Sequence, residues 1–141
     1  MSLLHKPTYT SKYSEQEDLE GLRKLRWSQF MCKCGSCDVG SGKRLMEKLA
    51  VIILDEIAQE ERMRFDIELG YVCKPSADKN TMVSDSPHRA GLGVRIRVLN
   101  PMKRMLIVRG LIVRGVTRIG INRKFIYYDI DDLRKMGIYF I

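Results

Sequence analysis

Long apolar segments are absent from this sequence. No apolar run approaches the ~20 residues that a helix needs to cross a bilayer, so we expect no membrane partner. The first residues, MSLLHKPTYTSKYSEQ, lack a charged segment followed by a long apolar core, so they do not resemble a secretory signal. Repeats and low-complexity tracts are also lacking. We therefore expect a single domain over residues 1–141, made in a reducing cytoplasm.

Acidic residues are in the minority. The chain has 25 Lys and Arg against 17 Asp and Glu, for a net charge of +8. This charge permits acidic partners such as nucleic acid or an anionic cell wall. Because the basic residues are scattered along the chain, the sequence does not predict a dedicated nucleic-acid surface. A hydrophobic content of 45% argues against disorder.

Histidine is scarce, with only His5 and His88 in the whole chain. His88 lies in the stretch SPHRAGLGVRIRV, before what the alternation of residues predicts to be a strand. Two interpretations are open. His88 is either the remnant of a metal site or a turn histidine whose ring bonds a backbone carbonyl.

Four cysteines offer a second site. Cys32, Cys34 and Cys37 form a C-x-C-x-x-C pattern, and Cys73 follows much later. Four thiolates suit a structural zinc ion, although the usual pattern has two paired ligand sets. The alternative is that they are small, reduced residues that pin a loop against the sheet.

The periodicity of apolar residues predicts helices followed by a small sheet. We predict an α+β domain with N-terminal helices packed on a mainly antiparallel sheet. The predicted helices span Ser14–Leu25, Lys43–Glu60 and Pro101–Gly115, the predicted strands span Phe65–Leu69, Leu92–Val98, Arg118–Ile121 and Phe125–Ile130, and Lys74–Pro87 is predicted as a loop.

Two details of this prediction concern the second half of the chain. The helix that begins at Pro101 is expected to bury Met105, Leu106, Ile112 and Val113, although Gly110 costs about 1 kcal/mol in a helix interior. The last residues, GIYFI, are expected to form an edge strand, with docking on neighbouring subunits as the alternative.

Five motifs together resemble one protein family. They are SKYS at Ser11, FMCKCGSC at Phe30, GYVC at Gly70, SPHRAGLGVRI at Ser86 and RIGINRKFIYYDI at Arg118. In this order they resemble the zinc D-Ala-D-Ala carboxypeptidases and peptidoglycan endopeptidases, which share their fold with the hedgehog signalling domain. The resemblance covers nearly the whole chain and implies that fold.

The same resemblance exposes departures at the metal site. The family pattern S-x-H-x-x-G-x-A-x-D-I places its histidine at His88 but its aspartate at Arg95. The closing pattern F-[VI]-H-[VI]-D places its histidine at Tyr127 and its aspartate at Asp129. A catalytic zinc needs three protein ligands and an open position for water. His88 and Asp129 leave at most two, so we expect hydrolysis by the family mechanism, and its zinc, to be lost.

These departures lead to two hypotheses for function. The first is a catalytically inactive peptidase-like domain that is a structural or binding component of a bacteriophage virion, in the capsid, neck, tail or baseplate. Its partners would be other virion proteins or further copies of the chain, with peptidoglycan as another candidate. The second is a cell-wall-degrading metallopeptidase, similar to an endolysin, whose altered zinc site recruits His5, Asp85, Asp129 or a cysteine.

Arg95 carries one further expectation. With the metal gone, Asp129 would be left partly desolvated without a cation, which is costly. A guanidinium can bond a carboxylate through two donors at once. We therefore expect Arg95 to occupy the place of the metal and pair with Asp129.

Overall fold

The computed structural model describes residues 22–34, 46–80, 82 and 86–141. These residues form an α+β domain with one five-stranded mixed sheet, as the sequence predicts at this level. The α-helices are α1 (Lys48–Glu61), α2 (Lys74–Lys79), α3 (Pro87–Ala90) and α4 (Pro101–Val113). The strands are β1 (Asp66–Leu69), β2 (Gly93–Arg97), β3 (Arg118–Ile121), β4 (Phe125–Asp129) and β5 (Gly137–Phe140).

The strands lie in the order β1-β2-β4-β3-β5. Three of the pairings are antiparallel, and the pairing of β3 with β5 is parallel. The C-terminal segment is therefore the edge strand that we expected. Among the described residues, no helix is long and apolar enough to span a membrane.

The core lies between one face of the sheet and the helices α1 and α4. Ile96 and Ile126 from the sheet are fully buried against this layer. Tyr128 is fully buried as well, and its hydroxyl donates a hydrogen bond to the carbonyl of Ala50 in α1. Since neighbouring strand residues point to opposite faces, the residues on either side of Tyr128 lie on the other face of the sheet.

Helix α4 packs through a different face from the one predicted. Its buried residues are Ile107, Gly110 and Leu111, and Val113 is 70% exposed. The prediction of burial is also wrong for Met105 and Ile112, which are exposed. It is partly right for Leu106, which is half-buried. Apolar residues occur on several sides of this helix, so their spacing alone could not select the buried face.

Gly110 explains why this face is chosen. A Cβ atom at Gly110 would lie 2.8 Å from Cγ1 of Ile57 on α1. Such a distance is shorter than van der Waals contact, so α4 can approach α1 this closely only where the side chain is absent. The cost of a glycine within the helix is offset by close packing between the helices.

Asp55 fixes the segment before α1 in a way that the sequence did not indicate. Its carboxylate is fully buried within α1 and accepts hydrogen bonds from the backbone N–H groups of Arg23, Lys24 and Leu25, at 3.0, 2.8 and 2.8 Å. Residues 22–25 are not helical, so this part of the predicted Ser14–Leu25 helix is wrong, and the rest lies outside the described residues.

The predicted loop Lys74–Pro87 is also corrected at both ends. It begins with α2, in which Lys74 Nζ contacts Asp78 Oδ2 at 2.9 Å one turn later. It ends with α3, which Ser86 caps by accepting a hydrogen bond from the backbone N–H of His88. Prolines near the start of each helix suit the first turn.

Candidate functional site

The face of the sheet that points away from α1 and α4 carries a cluster of polar side chains around Asp129. Pairing of β2 with β4 sets Gly93 opposite Asp129 and Arg95 opposite Tyr127. Pairing of β3 with β4 sets Arg118 opposite Asp129. Because opposite residues in a ladder share a face, these five positions lie side by side.

Asp129 is the centre of the cluster. It is only 1% exposed, and both of its carboxylate oxygens accept hydrogen bonds. Arg118 Nε lies 3.0 Å from Oδ1 and 3.0 Å from Oδ2. The hydroxyl of Tyr127 donates to Oδ2 at 2.6 Å, and the backbone N–H of Asp131 donates to Oδ1 at 3.1 Å. The buried charge is thus compensated by a cation and two further donors.

Tyr127 acts in this cluster as a neutral donor. Burial, the adjacent charge of Asp129 and the hydrogen bond between them raise the pKa of Tyr127 far above its ordinary value. The hydroxyl therefore remains protonated at physiological pH. The side chain of Tyr127 also fills the space above Gly93 on the neighbouring strand, since a Cβ atom at Gly93 would lie 2.9 Å from Oη of Tyr127.

His88 lies beside this ring. The ring centroids of His88 and Tyr127 are 5.4 Å apart in an edge-to-face arrangement. Nδ1 of His88 lies 2.9 Å from the carbonyl oxygen of Gly70. A carbonyl can only accept, so Nδ1 carries the proton. Burial lowers the pKa of His88, with a smaller contribution from the charge of Arg95, whereas the Gly70 carbonyl opposes the shift. This contact is the bond to a backbone carbonyl that the interpretation as a turn histidine describes.

Arg95 does not pair with Asp129, so that expectation is wrong. Its Nε lies 2.7 Å from Oε1 of Glu68, and its guanidinium carbon lies 4.7 Å from the ring centroid of Phe125. The register explains the error. Arg95 is opposite Tyr127 in β4, and the ladder between β1 and β2 shifts register between Ile67 and Leu69, beside Glu68.

Arg118 makes the contact with Asp129 that was expected of Arg95. It lies on the third strand of the cluster, directly across from Asp129. Its side chain is 17% exposed, whereas that of Asp129 is fully buried. The sequence held a signal for this contact, because the two strands of the β3–β4 hairpin must pair with each other. Counting residues outward from the turn would have placed Arg118 near Asp129 or Tyr127.

A catalytic zinc does not fit this cluster. Arg118 occupies both oxygens of Asp129 with a permanent positive charge, and a guanidinium cannot coordinate a metal. Position 95, where the resemblance expects a carboxylate ligand, holds a second arginine. Within the described part of the chain, no group of three or more His, Cys, Asp or Glu side chains forms a metal-sized cluster here. His5 and Asp85, the other candidate ligands, lie outside the described residues.

The cysteines form a separate cluster. The sulfur atoms of Cys32, Cys34 and Cys73 all lie within 4.8 Å of one another. Sγ of Cys34 and Sγ of Cys73 are 3.7 Å apart, and the backbone N–H of Cys73 donates to Sγ of Cys32 at 3.4 Å. Together the three sulfur atoms could bind a metal. Cys37 lies outside the described residues.

Comparison with known proteins gave no match: no family model, curated protein or solved structure is similar enough to show a relationship.

An exposed apolar surface lies on the opposite side of the molecule from Asp129. Arg104 and Arg109 line a groove of about 540 Å³ together with apolar side chains of α4, β3 and β4. Among the apolar residues that line this groove, Ile112 is 50% exposed and Val113 is 70% exposed. Phe140, on the edge strand β5, is 88% exposed. Large apolar side chains grouped this way are typical of interaction surfaces.

Proposed function

We propose that this chain is a catalytically inactive peptidoglycan-peptidase-like domain that serves as a structural or binding component of a bacteriophage virion. The observation that carries the loss of activity is the closed network at Asp129. Its carboxylate is held by Arg118, Tyr127 and the backbone of Asp131. A carboxylate with this surrounding has no oxygen left for a metal or for a proton transfer to substrate.

The residues around Asp129 support a replacement of the metal site by a structural network. Where the family pattern has histidine, Tyr127 supplies a protonated hydroxyl that binds Asp129. Where the pattern has alanine, Gly93 provides the space that the Tyr127 ring needs. Tyr127 and Gly93 both differ from the family pattern, and the absence of a side chain at Gly93 accommodates the larger ring at Tyr127. Such paired differences are expected where a metal site is replaced by a structural network. No catalytic metal belongs to the proposal, and a metal held by the cysteine cluster would be structural.

The assignment to a virion rests on the resemblance, because the peptidase family is frequent among phage lysis and virion proteins. The groove at α4 supports a role in assembly. The net charge of +8 favours a partner with acidic groups around an apolar segment, rather than a second copy of this basic chain. The partner we propose is therefore a neighbouring virion protein.

Two measurements test the proposal. Purified protein should not release peptides from peptidoglycan sacculi, with or without added zinc. In a density gradient, the chain should migrate with assembled phage particles. Ile112→Asp, in the groove, should be lost from the particles, whereas Leu133→Asp, at a site that is 93% exposed outside the groove, should be retained. The proposal would be contradicted if the protein digests sacculi and His88→Ala abolishes that digestion. It would also be contradicted if the particles retain Ile112→Asp as well as they retain Leu133→Asp.

The second candidate is a cell-wall metallopeptidase with an altered zinc site, and one observation favours it. The Nδ1 proton of His88 is directed to a backbone carbonyl, which is the arrangement that commonly orients a metal-binding histidine. This candidate predicts stoichiometric zinc that His88→Ala removes and that changes at the cysteines leave in place. Elemental analysis of protein purified without chelator separates the two candidates.

A further inference from the structure

We propose that Cys32, Cys34 and Cys73 form a structural site for Zn²⁺ or another thiophilic divalent ion. The site would join the segment that follows the 3-10 turn Trp27–Phe30 to the start of α2. It shares no residue with the Asp129 cluster, and it does not depend on the proposed function.

The distances between the sulfur atoms suit a tetrahedral ion. With a zinc–sulfur bond of about 2.3 Å, two thiolates of a tetrahedral site lie roughly 3.8 Å apart. Cys34 and Cys73 already have their sulfur atoms 3.7 Å apart, and the third sulfur lies within 4.8 Å of both. The largest adjustment needed is therefore about 1 Å, which rotation of a cysteine side chain can provide.

The backbone holds the two ligand segments together without the metal. The backbone N–H of Tyr71 donates to the carbonyl of Phe30 at 2.8 Å, two residues before the first ligand. The backbone N–H of Cys73 points to the sulfur of Cys32 at 3.4 Å. This contact holds the sulfur of Cys32 beside Cys73, where both can serve as ligands of one ion.

The arrangement does not suit a set of disulfides. A disulfide requires a sulfur–sulfur distance of about 2.05 Å, and a bond between Cys34 and Cys73 would use only two of the three sulfur atoms that the described residues bring together. Three cysteine sulfurs that come together from two distant segments provide ligands that a thiolate metal site can use. Binding would release up to one proton from each thiol and leave a fourth position for water or another donor.

The experiment uses the full chain, purified under reducing conditions and loaded with Zn²⁺ or Co²⁺. We expect one equivalent of metal, and for Co²⁺ an intense near-ultraviolet sulfur-to-metal band of the strength that three or more thiolates give. Cys32→Ser, Cys34→Ser and Cys73→Ser should each reduce the affinity by at least about 100-fold. His88→Ala is the matched control and should retain the metal, which separates this site from the Asp129 cluster.

Stability provides a readout that is independent of the metal analysis. A chelator should lower the thermal midpoint of the wild type and leave that of Cys73→Ser unchanged, because a metal that binds only the folded state stabilises it. The inference is overturned if the reduced protein binds no metal, or if metal binding survives Cys73→Ser. It is also overturned if protein purified without reductant has a Cys34–Cys73 disulfide that persists when zinc is supplied.

Discussion

Removal of the guanidinium at Arg118 tests the network around Asp129 most directly. In Arg118→Met the aliphatic stem remains, but the fully buried carboxylate of Asp129 loses the cation that bonds both of its oxygens. Arg95→Met is the matched control. It removes a second arginine from the same face, whose partner Glu68 is about one third exposed, at 34%.

The expected magnitudes differ by several fold. Removal of one partner from a buried ion pair costs about 3–5 kcal/mol. Because the Arg118 side chain is 17% exposed, water can reach part of the gap, and we expect a loss of about 3 kcal/mol. The ion pair of Arg95 is far more solvated, so its loss should cost about 1 kcal/mol or less.

Urea unfolding, followed by the fluorescence of the single tryptophan, measures both variants. With an m-value of about 1.5 kcal/mol/M, Arg118→Met should lower the midpoint by roughly 2 M and Arg95→Met by less than about 0.7 M. The double variant Arg118→Met/Asp129→Asn should recover part of the loss, because it also removes the buried charge. Losses for the two arginine variants that agree within about 0.5 kcal/mol would refute the network as the source of stability.

Three further predictions concern packing and protonation. Asp55→Ala should cost about 3 kcal/mol in urea unfolding, because three backbone N–H groups lose a charged acceptor; a cost below about 1 kcal/mol would contradict this role. Gly110→Ala should reduce the free energy of unfolding by about 1–2 kcal/mol, and so lower the thermal midpoint, because its Cβ would collide with Ile57. A higher midpoint would show that α4 can shift. The pKa of His88 is lowered in the folded state, so the free energy of unfolding should decrease as the pH falls below the ordinary value of 6.5. His88→Gln should lose less stability over that range. Parallel pH profiles of the two proteins would show that His88 is not the group responsible.

The sequence predicted the strands well because their alternation and flanking turns are local signals. Strands β2, β3 and β4 lie within one or two residues of their predicted bounds. The same alternation places Arg95, Tyr127 and Asp129 on one face, and the structure does bring them together. To predict that these three residues share a face of the sheet, only the two-residue period of side chains along a strand was needed.

The partner of Asp129 could not be predicted in the same way, because register depends on the length of the turn. A two-residue turn at Asn122-Arg123, between the two predicted strands, would set Arg118 opposite Tyr127. The hairpin instead closes with the backbone N–H of Asn122 donating to the carbonyl of Phe125, which sets Arg118 opposite Asp129. A shift of two residues leaves the alternation unchanged, so the pattern of apolar residues cannot detect it.

The last prediction is that a metal site requires three changes on this face rather than two. Arg95→Asp and Tyr127→His introduce the residues that the pattern of the resembling peptidase family has at these positions. In that double variant Arg118 would still bond both oxygens of Asp129, as it does in the structure. A divalent ion about 5 Å from the guanidinium would be repelled by about 7 kcal/mol at an effective dielectric of about 20.

Addition of Arg118→Met to these two changes removes that repulsion and frees the carboxylate. In a Cys73→Ser background, which takes away the proposed cysteine site, the triple change should bind one equivalent of Zn²⁺ by calorimetry, and the double change should bind none. Circular dichroism establishes that both are folded before binding is compared. Equal affinities for zinc would mean that Arg118 moves aside readily, and the network at Asp129 could then not be what excludes a metal from this face.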